Sequence, residues 1–185
     1  MTVKLYGGAR SRASIVRWYL EEKAIPYEFV LLDMQAGEHR APDFLAINPM
    51  GKVPAIVDGD ITCWESGAIL LYLAEKYAPT PLDLATRTLL GQWVMFANAT
   101  LGVGLFVESN REREGDRLLT SLNQVLSQST YLVGDELTVA DIAVGAYLAY
   151  ATMMVKLTYE DYGAIATYVD ALTQRPAYQK TIMGN

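Results

Sequence analysis

The sequence predicts an α/β domain followed by an all-α domain. Three observations carry this. Strand and helix patterns alternate as far as Tyr77 in the order βαβαββα, the run Ala78-Pro79-Thr80-Pro81 then breaks the chain, and no convincing strand pattern follows. The boundaries are therefore a first domain at residues 1–77, a linker at 78–83 and an all-helical domain at 84–185.

Thr2 to Tyr6 alternates apolar and polar residues with Val3 and Leu5 on one face, which is a strand pattern, and Gly7-Gly8 ends it. Arg12 to Ala24 is predicted helical, with Ile15, Val16, Tyr19 and Leu20 on the buried side. Ile25-Pro26 stops it, because a residue before proline avoids the helical region. Tyr27 to Leu32 is a second strand, and strand–helix–strand implies a right-handed parallel pair. A polar loop and a short helix cover Gln35 to Ile47. Ala55 to Val57 and Ile61 to Trp64 flank the hairpin signal Asp58-Gly59-Asp60, and Ser66 to Tyr77 is the third helix. This order is that of a thioredoxin-like domain.

Beyond the linker, Leu84 to Glu108 reads as one long helix weakened by Gly102 and Gly104, and Arg111 to Gln128 as another. Thr138-Val139-Ala140-Asp141 is a capping box, with Leu137 and Ile142 as its hydrophobic staple, and it opens a helix through Val155. Its role is structural. Tyr159 to Leu172 is the last helix, stopped by Arg175-Pro176.

Composition narrows the function classes. Apolar residues make up 51% and charged residues 19%, as in a protein with a sizeable core. A net charge of −6 argues against a nucleic-acid partner, which needs clustered Lys and Arg. The only cysteine is Cys63 and the only histidine His39, which excludes an internal disulfide and a Cys-rich or His-based metal site within one chain. Cys63 in a strand, and Trp64 and Trp93, read as packing or interface residues. The N-terminus starts a strand rather than an apolar leader, and the longest uncharged helical stretch, Ile142 to Val155, is too short to cross a membrane. A cytoplasmic protein without a membrane partner is expected.

The most specific stretch is Asn48-Pro49-Met50-Gly51-Lys52-Val53-Pro54-Ala55-Ile56-Val57-Asp58, followed by Glu65-Ser66-Gly67-Ala68-Ile69. The first is a loop entering a strand, and Pro54, lacking an N–H, suits the strand's mouth. The second is a helix start. A strand-entry loop facing a helix N-terminus is a natural way to hold a peptide and its carboxylate.

These segments closely resemble the glutathione-binding half of the glutathione transferases, and the capping box and helical second domain extend the resemblance to full length. It implies that Val53 pairs through its backbone with the cysteinyl part of glutathione. It also implies that Pro54 is cis, that Glu65 and Ser66 hold the γ-glutamyl end, and that His39 or Arg40, with Lys52, meets the glycyl carboxylate. Taken alone, His39 and Arg40 each read rather as part of an exposed polar loop. The family's activating residue lies after the first strand, here in Tyr6-Gly7-Gly8-Ala9-Arg10-Ser11-Arg12-Ala13-Ser14. A free thiol has a pKa of about 8.5, so activation must favour its anion. A hydroxyl, a helix N-terminus and a guanidinium each do so. Ser11 offers the hydroxyl and Arg10 the charge. Alternatively Ser11 is a plain cap, Ser14 is the donor one turn on, or Tyr6 replaces both.

The chain most resembles the short, serine-type bacterial forms, with the cyanobacterial chi class as one candidate. The implied function is conjugation of glutathione, a co-substrate, to small hydrophobic electrophiles such as isothiocyanates or aryl halides, by a homodimer and without a metal. A glutathione-dependent thiol reductase or peroxidase, or a non-catalytic binding module on the same fold, are the alternatives. The tail after Pro176 is short for the family, which implies an open second-substrate site.

Overall fold

The computed structural model describes residues 2–184. By packing, the chain forms two compact units. One runs to Ala78 and is rejoined by the chain from Lys180 onward, and the other is Pro79–Gln179.

In the first unit, strand β1 (Val3–Gly7) is followed by helix α1 (Ala13–Glu22), β2 (Tyr27–Leu31), a single 3₁₀ turn (Glu38–Arg40) and α2 (Pro42–Leu45). Then come β3 (Ala55–Asp58), β4 (Ile61–Trp64) and α3 (Ser66–Lys76). The four-stranded sheet has the order β2-β1-β3-β4. β1 and β2 are parallel, with Val3 opposite Tyr27, and the other two pairings are antiparallel. This is the thioredoxin-like arrangement that the element order predicts. Val3 and Leu5 are buried on one face, and α1 presents Ile15, Val16, Trp18, Tyr19 and Leu20 inward. α3 buries Ile69, Leu70, Leu73 and Ala74 and packs against α1.

α1 is shorter than its apolar pattern. Ser11 and Arg12 form a turn ahead of it. At its other end Ala24 takes a left-handed φ of 49°, and the Ile25 N–H closes onto the Leu20 carbonyl at 2.9 Å. Trp18 is fully buried, whereas Trp64 is 36% exposed on β4, so Trp64 is not the core residue its size suggests.

Asp58 reads as a turn residue in the sequence but closes β3 with its carboxylate buried. Its Oδ2 accepts from Lys76 Nζ at 2.6 Å and from the Tyr72 hydroxyl at 3.1 Å. The bond to Asp58 holds the Lys76 amine above its ordinary value. Lys76→Met leaves that carboxylate without its counter-ion. A fully buried pair broken this way costs several kcal/mol, but the Lys76 side chain is 39% exposed. Solvent screening reduces the expected loss to roughly 2 kcal/mol. Since the lysine value is raised in the folded state, this stability is complete below about pH 10.4 and fades above it. Denaturant midpoints should separate wild type from Lys76→Met at about pH 8, and the gap should begin to narrow only above about pH 10.4.

In the second unit, α4 (Leu84–Met95) passes through a π-helical turn (Phe96–Leu101) into α5 (Gly102–Phe106). Gly102 and Gly104 do not break this helix. A Cβ on Gly104 would stand 2.4 Å from Leu118 Cδ1, and one on Gly102 2.8 Å from the Tyr147 ring. They are sites of close approach. The break falls instead at Val107, in extended conformation, and α6 (Glu108–Leu126) follows. The 23-residue helix Leu84–Phe106 is long and apolar enough to cross a membrane by length and composition. The expectation that Ile142 to Val155 is the longest uncharged helical stretch does not hold, because the uncharged run from Thr88 to Val107, almost all of it in this helix, is longer.

α7 (Val139–Val155) is buried along nearly its whole length, and Thr138 and Asp141 form the expected capping box. α8 (Gly163–Thr173) starts later than the Tyr159 pattern suggests. The Tyr159 hydroxyl is drawn inward to donate to the Leu148 carbonyl at 2.8 Å. Asn123 on α6 caps α8 instead, its Oδ1 accepting from the Ala164 N–H at 2.9 Å and the Ile165 N–H at 3.2 Å.

α8 ends just ahead of Arg175-Pro176, as the sequence predicts, but it is not the last helix, because Pro176 also opens one. It occupies the first turn of α9 (Pro176–Tyr178), where its missing N–H costs nothing, and a π-helical turn (Gln179–Met183) continues it. Lys180 pairs with Glu21 of α1 at 2.8 Å, which holds the Glu21 carboxyl below its usual range. The tail is thus an ordered helical segment, and its last residues pack with the first unit rather than with the helical one.

Candidate active site

The turn after β1 is organised by one hydroxyl. Ser11 Oγ accepts from the Gly8 N–H at 3.2 Å and the Ala13 N–H at 3.3 Å, and donates to the Gly8 carbonyl at 3.1 Å. These bonds close the turn ahead of α1 and leave a half-exposed hydroxyl near the helix N-terminus. Ser14 donates to the Ser11 carbonyl at 2.8 Å. Tyr6 packs against Phe44 in a tilted arrangement with ring centroids 5.8 Å apart. Arg10 is exposed.

The Asn48–Pro54 loop is held by a residue that the sequence reading passed over. Asn48 is 2% exposed. Its Nδ2 donates to the Lys52 carbonyl at 2.7 Å and its Oδ1 accepts from the Met50 N–H at 3.0 Å. The Asn-Pro signal and the habit of asparagine of bonding to backbone two residues on were the available clue. The Val53–Pro54 peptide is cis, as the resemblance implied. The β1–β3 ladder ends at Tyr6 opposite Ala55, so Val53 takes no part in it. Glu65 adopts φ 71° and ψ 121°, unusual for a residue with a side chain, and this presents Ser66 as the buried first residue of α3.

His39, Arg40, Lys52 and Val53 line one groove of about 610 Å³ with Met34 and Met50. His39 Nδ1 is buried with no hydrogen-bond partner among the described residues. Ser11, Arg10, Glu65, Ser66 and the buried Pro54 are not part of that lining. Met34 connects the groove to the Ser11 turn, since its Cγ lies 2.7 Å from where a Cβ on Gly8 would stand. Cys63 is half-buried and desolvation pushes its thiol up, the opposite of a reactive cysteine. Among the described residues no cluster of three His, Cys, Asp or Glu is placed to hold a metal. A cavity of about 450 Å³ in the second unit, between the end of α6 and α8, holds none of these residues.

Comparison with known proteins identifies the family. Residues 1–75 match the family described as "Glutathione S-transferase, N-terminal domain", and residues 107–176 match "Glutathione S-transferase, C-terminal domain". Glutathione S-transferase GstB of Escherichia coli (strain K12) is 34% identical, with 89% of each chain covered. Glutathione S-transferase 3 of Zea mays is 32% identical, covering 97% of this chain and 93% of its own. Among solved structures, glutathione transferase URE2P6 of Phanerochaete chrysosporium, in complex with oxidized glutathione, superposes with a TM-score of 0.82. It is 31% identical and covers 99% of this chain and 96% of its own. The chain belongs to the glutathione S-transferase family.

Proposed function

We propose that the protein is a serine-type glutathione transferase, of which the chi class is one candidate subclass. It ionises bound glutathione and conjugates it to small hydrophobic electrophiles. The observation that carries this is the groove that gathers His39, Arg40, Lys52 and Val53, the last of these outside the β1–β3 ladder. A tripeptide with a carboxylate at each end and a thiol between fits the donor set. Arg40, Lys52 and His39 meet the glycyl carboxylate. Val53 next to Pro54 pairs with the cysteinyl backbone, and Glu65 with Ser66 takes the γ-glutamyl end. Ser11 donates to the thiolate and Arg10 supports the anion. The sulfur attacks the ring carbon of an aryl halide and expels halide, or attacks the carbon of an isothiocyanate, whose nitrogen takes a proton. Retention on a glutathione column and conjugation of an aryl halide test the reading. Failure of both removes it.

Ser66→Ala should weaken glutathione binding by roughly 1.5–3 kcal/mol, because a hydrogen bond to a charged ligand is lost. Calorimetric titration measures it, and an unchanged dissociation constant would remove Ser66 from the site.

The same reading gives a cytoplasmic homodimer with neither nucleic acid nor membrane as partner. Leu84, Met95 and Val103 are exposed on the Leu84–Phe106 helix, as are Ile61 and Trp64 on β4. These are surfaces for a second copy, and the exposed Arg87 and Gln92 within the helix suit that better than lipid. Sedimentation at micromolar concentration should show twice the chain mass of 20.4 kDa, and a monomer throughout would contradict it.

A further inference from the structure

The groove below the Asn48–Pro54 loop offers more than a glycyl carboxylate needs. Beside its basic residues stand Met34, Leu45 and Met50, which are 38%, 37% and 57% exposed. Glycine has no side chain with which to cover them. The floor between the basic and the apolar groups is kept low by Gly51. Its φ is 59°, and a Cβ there would stand 3.1 Å from the His39 carbonyl and 3.4 Å from Leu45 Cδ2. The two thioethers are unbranched and adapt to shapes that a rigid wall would refuse.

We infer that the site also accepts γ-glutamyl-cysteinyl peptides whose third residue carries a bulky apolar side chain and a free α-carboxylate. The carboxylate goes to Arg40, Lys52 and His39, and the side chain covers Leu45 and Met50, with Met34 closing the side nearer Gly8. The cysteinyl sulfur stays where glutathione places it, because the extension lies beyond the cysteine. This rests on the glutathione reading and names a wider substrate class for that site.

The test compares kcat/KM for γ-Glu-Cys-Gly and γ-Glu-Cys-Leu with one aryl halide, in wild type, Met50→Ser and Leu45→Ser/Met50→Ser. Direct binding of both peptides is measured by calorimetry. Wild type should use the leucyl peptide with at least about one fifth of the glutathione efficiency. The double variant should lower the leucyl-to-glycyl ratio about tenfold, the scale of a lost apolar subsite, and Met50→Ser should lower it in the same direction. A smaller wild-type ratio, or one that the substitutions leave unmoved, overturns the inference while the glutathione reading stands. If neither peptide binds wild type, the glutathione reading and the inference fall together.

Discussion

Asp141→Ala is expected to destabilise the helical unit by about 3–5 kcal/mol, the largest effect of any single substitution considered. The carboxylate is fully buried. Its Oδ1 accepts from the Leu132 N–H at 2.8 Å and the Tyr168 hydroxyl at 2.9 Å, and its Oδ2 from the Thr138 N–H at 2.9 Å and hydroxyl at 3.0 Å. Truncation unties the cap of α7 and leaves the Tyr168 hydroxyl and two backbone N–H groups without their acceptor. Burial, the larger cause, and the Asp141 charge raise the Tyr168 value far above that of an ordinary tyrosine, so its proton remains as the donor. Asp141→Asn keeps one acceptor oxygen and should fall between wild type and alanine. Equilibrium denaturation measures all three, and a loss under about 1 kcal/mol for alanine would show that the network is not structural.

Ser11→Ala is expected to slow conjugation at neutral pH by roughly tenfold to a hundredfold, with glutathione binding much less affected. The hydroxyl has one proton, which in this structure points to the Gly8 carbonyl. Donation to a thiolate requires it to turn away while the Gly8 and Ala13 N–H groups keep their hold on Oγ and polarise it. A hydrogen bond to a charged acceptor contributes roughly 1.5–3 kcal/mol, which corresponds to about one to two pH units in the bound thiol. Arg10 is exposed, so its charge is screened. Arg10→Ala should weaken turnover of acidic electrophiles more than of neutral ones. Steady-state kinetics at neutral pH, with glutathione affinity measured separately, check both expectations.

Much of this molecule was legible before its structure, and for local reasons. The alternation in Val3–Gly7, the spacing of Ile69, Leu70, Leu73 and Ala74 and the Thr138–Asp141 box are each set by near neighbours. What was missed depends on distant partners. Asp58 beside Gly59 looks like a turn residue, because nothing near it announces Lys76 on α3 as its counter-ion. Gly102 and Gly104 look like helix weakness until Tyr147 and Leu118 are seen against them. Pro176 reads only as a stop, although proline also begins helices as it does here, and the pairing of Lys180 with Glu21 spans nearly the whole chain. In the site, the cis Val53–Pro54 peptide and the roles around it followed from the family resemblance, not from composition or periodicity. The brace from Asn48 followed from neither.

The central claim is that the first unit holds glutathione with its thiol ionised by the Ser11 turn. The most direct measurement is the pH titration of thiolate absorbance for glutathione bound to wild type, Ser11→Ala and Arg10→Ala. In wild type the bound thiol should titrate about two units below the free value of about 8.5. Ser11→Ala should return it most of the way, and Arg10→Ala should leave it nearly in place. A wild-type titration at the free value contradicts the claim. A titration moved by Arg10→Ala and untouched by Ser11→Ala reverses the two roles.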